Sequence, residues 1–162
     1  MDNISFLAGD VLDLRNTLNG EVFDVVWAVA LLHHLPAKDQ PSLLQSVYDS
    51  LKPGGLFIAI DPSKHRLISL FKSLFSKQLR KFHSPDEDEL DFSIVREQLL
   101  RAGFRVESIV PVDFYLNSLA WLYPDTNQIF VNPLGFLNRV LCAVPLLRRF
   151  SPSFCVVAQR ER

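Results

Sequence analysis

Cysteine is almost missing from this 162-residue chain, which holds only Cys142 and Cys155. Two thiols are too few for a disulfide framework. They read as free thiols of a reducing compartment, with a single opportunistic bridge as the alternative. Charge of either sign is not in surplus: 17 Lys and Arg stand against 18 Asp and Glu, a net charge of −1. That balance gives no reason to expect a polyanionic partner, so no nucleic acid is expected. No apolar run reaches the roughly 18 residues that a membrane span needs. The opening MDNISFLAGD has an acid at position 2 and no basic stretch, so no secretory signal is expected. Metal binding is not expected either, because no cysteine or third histidine stands at ligand spacing beside His33 and His34. No internal repeat and no low-complexity tract is found. A soluble cytosolic protein is the expectation.

Apolar residues make up 48% and charged residues 22%, a globular composition long enough for one compact domain. Ile4 to Leu7 is a short apolar-rich run stopped by Gly9 and Asp10, consistent with a strand entering a loop. FDVVWAVA, from Phe23 to Ala30, is a continuous apolar run of the kind that suits a strand covered on both faces. Leu43, Leu44, Val47, Tyr48 and Leu51 have helical spacing, which predicts a helix from Asp39 to Leu51. Lys52, Pro53, Gly54 and Gly55 then stop it, and Leu56 to Ile60 is a second apolar strand that ends at Asp61 and Pro62. Ser84, Pro85 and Glu87 resemble a capping box, which predicts a helix from there to about Ala102, stopped by Gly103. Phe104 to Val112 and Phe154 to Gln159 read as the last strands. Alternating strands and helices of this kind predict an α/β, doubly wound sheet.

Three segments together resemble a known family. FLAGDVLDL (Phe6 to Leu14), FDVVWAVALLHHL (Phe23 to Leu35) and LKPGGLFIAIDP (Leu51 to Pro62) are similar to the third, fourth and fifth strand regions of class I S-adenosylmethionine-dependent methyltransferases. The likeness is to the methyltransferase type 11-like domain. It covers Asn3 to Pro62 closely, and Asp86 to Val112 and Phe154 to Gln159 more loosely. The resemblance implies a Rossmann-like sheet with an antiparallel strand near the C-terminus. It also implies S-adenosylmethionine as cofactor.

What the resemblance implies for single residues can be set beside their plainer chemistry. Asp10 matches the position that accepts from the adenine amino group, with Val11 beside it; alternatively Asp10 caps a turn after Gly9. Ala28 and Val29 match positions against the methionine portion of the cofactor, and could equally be core. His33 and His34 belong to the wall between cofactor and acceptor, where an imidazole orients or deprotonates a nucleophile. The plainer reading has one histidine packed and bonded locally and the other solvated. Asp61 is a second candidate on the acceptor side, or bonds a backbone amide near Pro62.

The departure from the family lies ahead of Asn3. There the family has a first strand, a GxGxG-type loop and an acid that ends the second strand, and only two residues precede Asn3. Gly54-Gly55 comes before a strand, not between a strand and a helix, so it cannot serve as that loop. A nicotinamide dehydrogenase is a poor reading for the same lack of a phosphate-binding fingerprint. The family's sheet order is third, second, first, fourth, fifth, seventh, sixth. The expectation is thus an N-terminally truncated sheet, one partial domain over residues 1–162, with the first two strands absent. FDVVWAVA then becomes an apolar edge, a pairing hazard, and Phe6 either pairs with it or lies loosely against it. A second chain that completes the sheet is one reading.

Lys64, Arg66, Lys72, Lys77, Arg80 and Lys81 stand in a stretch with no acid between Asp61 and Asp86. Residues 64–82 read as a basic amphipathic helix, either lying on an anionic membrane surface or packed on the sheet with a solvated basic back. Residues 115–153 form an apolar insertion broken by Pro124, Pro133, Pro145 and Pro152. The resemblance makes it a lid over a small, bulky, apolar or lipid-like acceptor; a covered core or dimer seam is the alternative. Two functions follow. One is methyl transfer to a small-molecule acceptor, in the cytoplasm or peripheral to a membrane, with this chain alone expected to be inactive if its half-site is insufficient. The other is a non-catalytic, degenerate module of the same fold that binds a partner or a membrane.

Overall fold

The computed structural model describes residues 4–63, 90–113, 128–148 and 150–162. A 3-10 turn, Val11–Asp13, runs into a short helix α1 (Leu14–Thr17), followed by strand β1 (Phe23–Val29). A second 3-10 turn, Leu32–His34, leads to α2 (Gln40–Asp49) and β2 (Leu51–Pro62). Then come α3 (Phe92–Arg101), β3 (Phe104–Asp113), α4 (Gln128–Ala143), α5 (Pro145–Arg148) and β4 (Ser153–Arg160).

The four strands form one sheet in the order β1-β2-β4-β3. β1 runs parallel to β2, and β4 is antiparallel to both β2 and β3. This is the order expected for the fourth, fifth, seventh and sixth strands, with the antiparallel strand last in sequence. One face of the sheet carries Val26 and Ala28 from β1, Phe57 and Ala59 from β2, and Val156 and Ala158 from β4, as the cross-strand register requires. Helices α2 and α3 close this face. Leu43, Leu44 and Val47 of α2, with Val95 and Leu99 of α3, are at most 2% exposed within that core. Each such side chain stabilises the fold by about 1.5–3 kcal/mol.

The other face of β1 differs from the expectation of a strand covered on both sides. Val25, Trp27 and Val29 are 48%, 63% and 59% exposed. β1 stands at the sheet edge with β2 as its only ladder partner, so among the described residues nothing packs on that side. Ile4 to Leu7 does not form the expected strand. Residues 4–10 have no regular secondary structure, and Phe6 is 93% exposed, neither paired with β1 nor packed against it. A strand exists only through a ladder, and this run has no neighbour to supply one.

Two element boundaries also move. α2 ends at Asp49 with Ser50 as its cap, and Leu51 is already in β2, opposite Phe23. Lys52 to Gly55 is therefore a bulge inside the β1–β2 pairing rather than a loop before it, because the register passes from Leu51 directly to Leu56. Gly55 fits there because a Cβ would lie 2.9 Å from the Lys52 carbonyl oxygen. α3 opens at Asp91, whose carboxylate accepts from the Ser93 N–H; Leu90, just before it, bridges to Ser63, and the expected capping box at Ser84 lies outside the described residues. The basic segment 64–82 lies outside the described residues. So do residues 114–127 of the apolar insertion, whose remainder contains α4 and α5.

Gly103, at the turn from α3 into β3, has φ +92° and lies under the Tyr48 ring. A Cβ there would sit 3.3 Å from two ring carbons. Gly103→Ala is expected to lower the unfolding free energy by about 2 kcal/mol, from backbone strain and displacement of Tyr48. Urea denaturation followed by circular dichroism measures it, and an unchanged midpoint would contradict the strained geometry.

Candidate functional site

The carboxyl ends of β1 and β2 point the same way because the two strands are parallel. Open α/β sheets bind ligands beyond such ends. The last rung here is the Ala30 N–H donating to the Ile60 carbonyl at 2.7 Å. Ala30 then turns the chain with φ +52°, a left-handed conformation uncommon for a residue with a side chain. The 3-10 turn that follows is clamped by Gln40, whose buried amide donates to the carbonyls of Leu35 at 3.3 Å and Leu32 at 3.5 Å. Gln40 was not a candidate by sequence. A glutamine at the first helical position has no signal that distinguishes a clamp from a solvated side chain.

This turn delivers His33 onto Asp61. The His33 Nδ1 lies 2.9 Å from Asp61 Oδ1, and the His33 backbone N–H donates to the same oxygen at 3.3 Å. Both residues are buried, His33 at 8% and Asp61 at 1% exposure. An ionised carboxylate only accepts, so Nδ1 carries the proton and Nε2 is the basic nitrogen of the neutral ring. Asp61 Oδ2 is buried with no hydrogen-bond partner among the described residues. Such an oxygen costs about 1–3 kcal/mol when left unpaired. His34 is exposed, and its ring centroid is 4.0 Å from that of His33 with the planes tilted by 39°.

The other candidates are spread around this pair. Asp10 caps the first 3-10 turn, its Oδ1 accepting from the Leu12 N–H at 2.9 Å, and is itself exposed. Val11 is half-buried against the core. The turn is held to α2 by the Leu14 N–H donating to Ser46 Oγ at 2.9 Å. Ala28 faces the core, whereas Val29 projects from the exposed side of β1. The structure thus joins His33, His34 and Asp61 into one cluster and leaves Asp10 and Val11 on a separate turn. A cleft of about 270 Å³ between α2 and α3, lined by residues including Pro41, Gln45, Ile94 and Arg101, shares no residue with the cluster. Cys142 and Cys155 form no disulfide among the described residues, and burial pushes the Cys155 thiol up from its ordinary range.

With this geometry in place, the comparisons agree on the fold. A family model described as a methyltransferase domain matches residues 1–59. No curated protein matches the sequence. One similar solved structure is the complex of the Haloferax volcanii Trm112 methyltransferase activator with a methyltransferase. It shows 20% identity and a TM-score of 0.60 over 100% of this chain and 64% of that one. A SAM-dependent methyltransferase from Archaeoglobus fulgidus matches with 18% identity and a TM-score of 0.59, over 94% of this chain and 66% of that one. Magnesium protoporphyrin IX methyltransferase from Synechocystis, with bound SAH, matches with 14% identity and a TM-score of 0.52, over 94% and 49%. The chain spans just under two thirds of the first two structures and about half of the third.

Removing the Asp61 carboxylate leaves the His33 Nδ1–H and the His33 backbone N–H without an acceptor. Asp61→Ala is expected to lower stability by about 2 kcal/mol, read as a shift of the urea midpoint at constant slope. A variant as stable as the parent would mean that the pair is not formed in solution.

Proposed function

We propose that this chain, whose residues 1–59 match a methyltransferase-domain model and whose fold is similar to solved methyltransferases, serves S-adenosylmethionine-dependent methyl transfer to a small acceptor, apolar or lipid-like in character. The observation that carries this reading is the buried His33–Asp61 pair at the carboxyl ends of two parallel strands. The residues present fit part of such a cofactor. Asp10 is exposed, and its Oδ2 has no hydrogen bond among the described residues, so it remains able to accept from an adenine amine. Asp61 Oδ2 is a buried acceptor in want of a donor. Val11, Ala28 and Val29 would supply apolar contact. No residue identified here takes the part of a ribose-binding acid. In this reading those contacts come from a segment or second chain completing the sheet at the bare edge of β1.

The bound cofactor supplies a methyl group on a sulfonium, an electrophile for in-line displacement. The chain supplies position and a proton sink. His33 Nε2 would take the proton that the acceptor's nucleophile gives up. Asp61 then stabilises the imidazolium through the Nδ1–H bond already in place. His34, stacked at 4.0 Å, orients the ring or the acceptor beside it. A lid from the apolar insertion around residues 115–153 would exclude water from that end, which strengthens each of these interactions. The proposed setting is the cytoplasm, free or peripheral to a membrane. A second reading, a non-catalytic module of the same fold, is favoured by the exposed β1 face together with the likeness to a methyltransferase found in complex with an activator.

Calorimetric titration with S-adenosylmethionine and S-adenosylhomocysteine separates the two readings. Binding is expected, and Asp10→Ala should weaken it about tenfold, the loss of one hydrogen bond to a charged group. A folded chain that binds neither compound at millimolar concentration would favour the non-catalytic module. In an acceptor screen, His33→Ala is expected to lower turnover roughly 100-fold without changing cofactor affinity, and added imidazole should restore part of it. Unchanged turnover in His33→Ala would remove the base from the mechanism.

A further inference from the structure

Helix α4 carries apolar side chains on two sides, with Leu134, Leu141 and Cys142 half-buried and a second stripe left in solvent. Asn138 is 5% exposed, on the side that faces the protein, while Phe136 at 64%, Leu137 at 48% and Val140 at 42% face away. The outward stripe continues past the helix end through Val144 at 37% and, in α5, Leu146 at 67%. An amphipathic helix of a globular domain normally turns such residues to the core, and a contiguous exposed apolar patch marks a docking surface. The sequence around it carries a charge signature: no acidic residue stands between Asp125 and Glu161, while Arg139, Arg148 and Arg149 flank the stripe in sequence. Arg139 is exposed.

We infer that α4 and α5 form a docking surface for an anionic lipid bilayer, on which the helix lies in the plane of the interface. The choice of occupant rests on charge. An unbroken acid-free stretch with arginines beside exposed Phe, Leu and Val suits phospholipid headgroups above acyl chains. A second copy of the same surface would offer Arg139 no acid from the stretch between Asp125 and Glu161 to pair with. Length excludes a spanning role for α4: 16 residues at about 1.5 Å each reach roughly 24 Å, and no helix among the described residues is long and apolar enough to cross a membrane. The inference holds whether or not the chain transfers methyl groups.

Vesicle flotation of the full chain tests it, with phosphatidylcholine vesicles compared with vesicles in which a third of the lipid is phosphatidylglycerol. The protein should float with the anionic vesicles, less with the neutral ones, and less again at high salt. The joint variant Phe136→Ser, Leu137→Ser and Leu146→Ser should weaken partition at least tenfold. Its substitutions are at exposed positions, and an unchanged thermal melt verifies its fold. Arg139→Glu, Arg148→Glu and Arg149→Glu together should weaken binding to the anionic vesicles about tenfold and leave the neutral ones little changed. Failure to float with either vesicle overturns the inference. So does flotation that neither variant alters but that Lys77→Glu, Arg80→Glu and Lys81→Glu abolish, which would assign binding to residues 64–82. A stable dimer in sedimentation velocity, dissolved by the apolar variant and indifferent to vesicles, would name a second copy as the occupant instead.

Discussion

The antiparallel ladder between β2 and β4, from Leu56 opposite Gln159 to Pro62 opposite Ser153, is the interaction on which the rest depends. It joins residues about a hundred positions apart and, among the described residues, is the one ladder between the parallel half of the sheet, β1 and β2, and the antiparallel half, β3 and β4. Side chains of β4 extend the link at one end. The Arg160 guanidinium donates to the carbonyls of Tyr48 and Leu51, at 2.9 and 2.6 Å, and lies 4.7 Å above the Tyr48 ring. It thus satisfies carbonyls that α2 leaves open where it ends. Gln159 donates to the Gly54 carbonyl at 2.9 Å and so holds the bulge between Leu51 and Leu56. Near the other end of the ladder, the Ser63 N–H donates to the Pro152 carbonyl at 2.8 Å. Asp61 lies within this frame, opposite Phe154.

The chemistry of the candidate site follows from that rigidity. Asp61 cannot move without breaking the ladder, so His33 must come to it. It does so through a turn clamped by Gln40 and started by a left-handed Ala30. A carboxylate bonded through one oxygen and bare at the other is costly for folding alone. A polar group left unpaired at the ligand end of a sheet is what a site for a hydrogen-bonding molecule requires. The same economy is missing from the outward faces of β1 and α4, where apolar side chains are exposed and no partner among the described residues covers them.

Much of the fold was legible because its signals are short-range. The apolar runs at Phe23 to Ala30, Leu56 to Ile60 and Phe154 to Gln159 are strands, and the spacing of Leu43, Leu44 and Val47 builds α2. Gly103 ends the turn after α3, as a glycine with positive φ should. What misled was local resemblance without its tertiary condition. Ile4 to Leu7 has a strand's composition but no ladder partner, and Lys52 to Gly55 has a loop's composition yet sits within a paired strand. The cap bond of α3 comes from Asp91, and the Ser84 pattern lies outside the described residues.

By itself the sequence determined the four strands of the sheet and helix α2 in their order, the likeness to a methyltransferase, and the candidates His33, His34, Asp61 and Asp10. Those are properties of residue type and spacing, and they need no knowledge of what lies across the sheet. Only the tertiary structure decided that Asp61 accepts from His33, that His34 remains exposed, that Gln40 clamps their turn, and that α4 leaves one apolar stripe exposed. Each of these depends on contacts between segments far apart in sequence or on which helix face is covered. The hydrophobic effect favours burying any apolar stripe, and backbone and packing constraints elsewhere in the chain choose which stripe is left out.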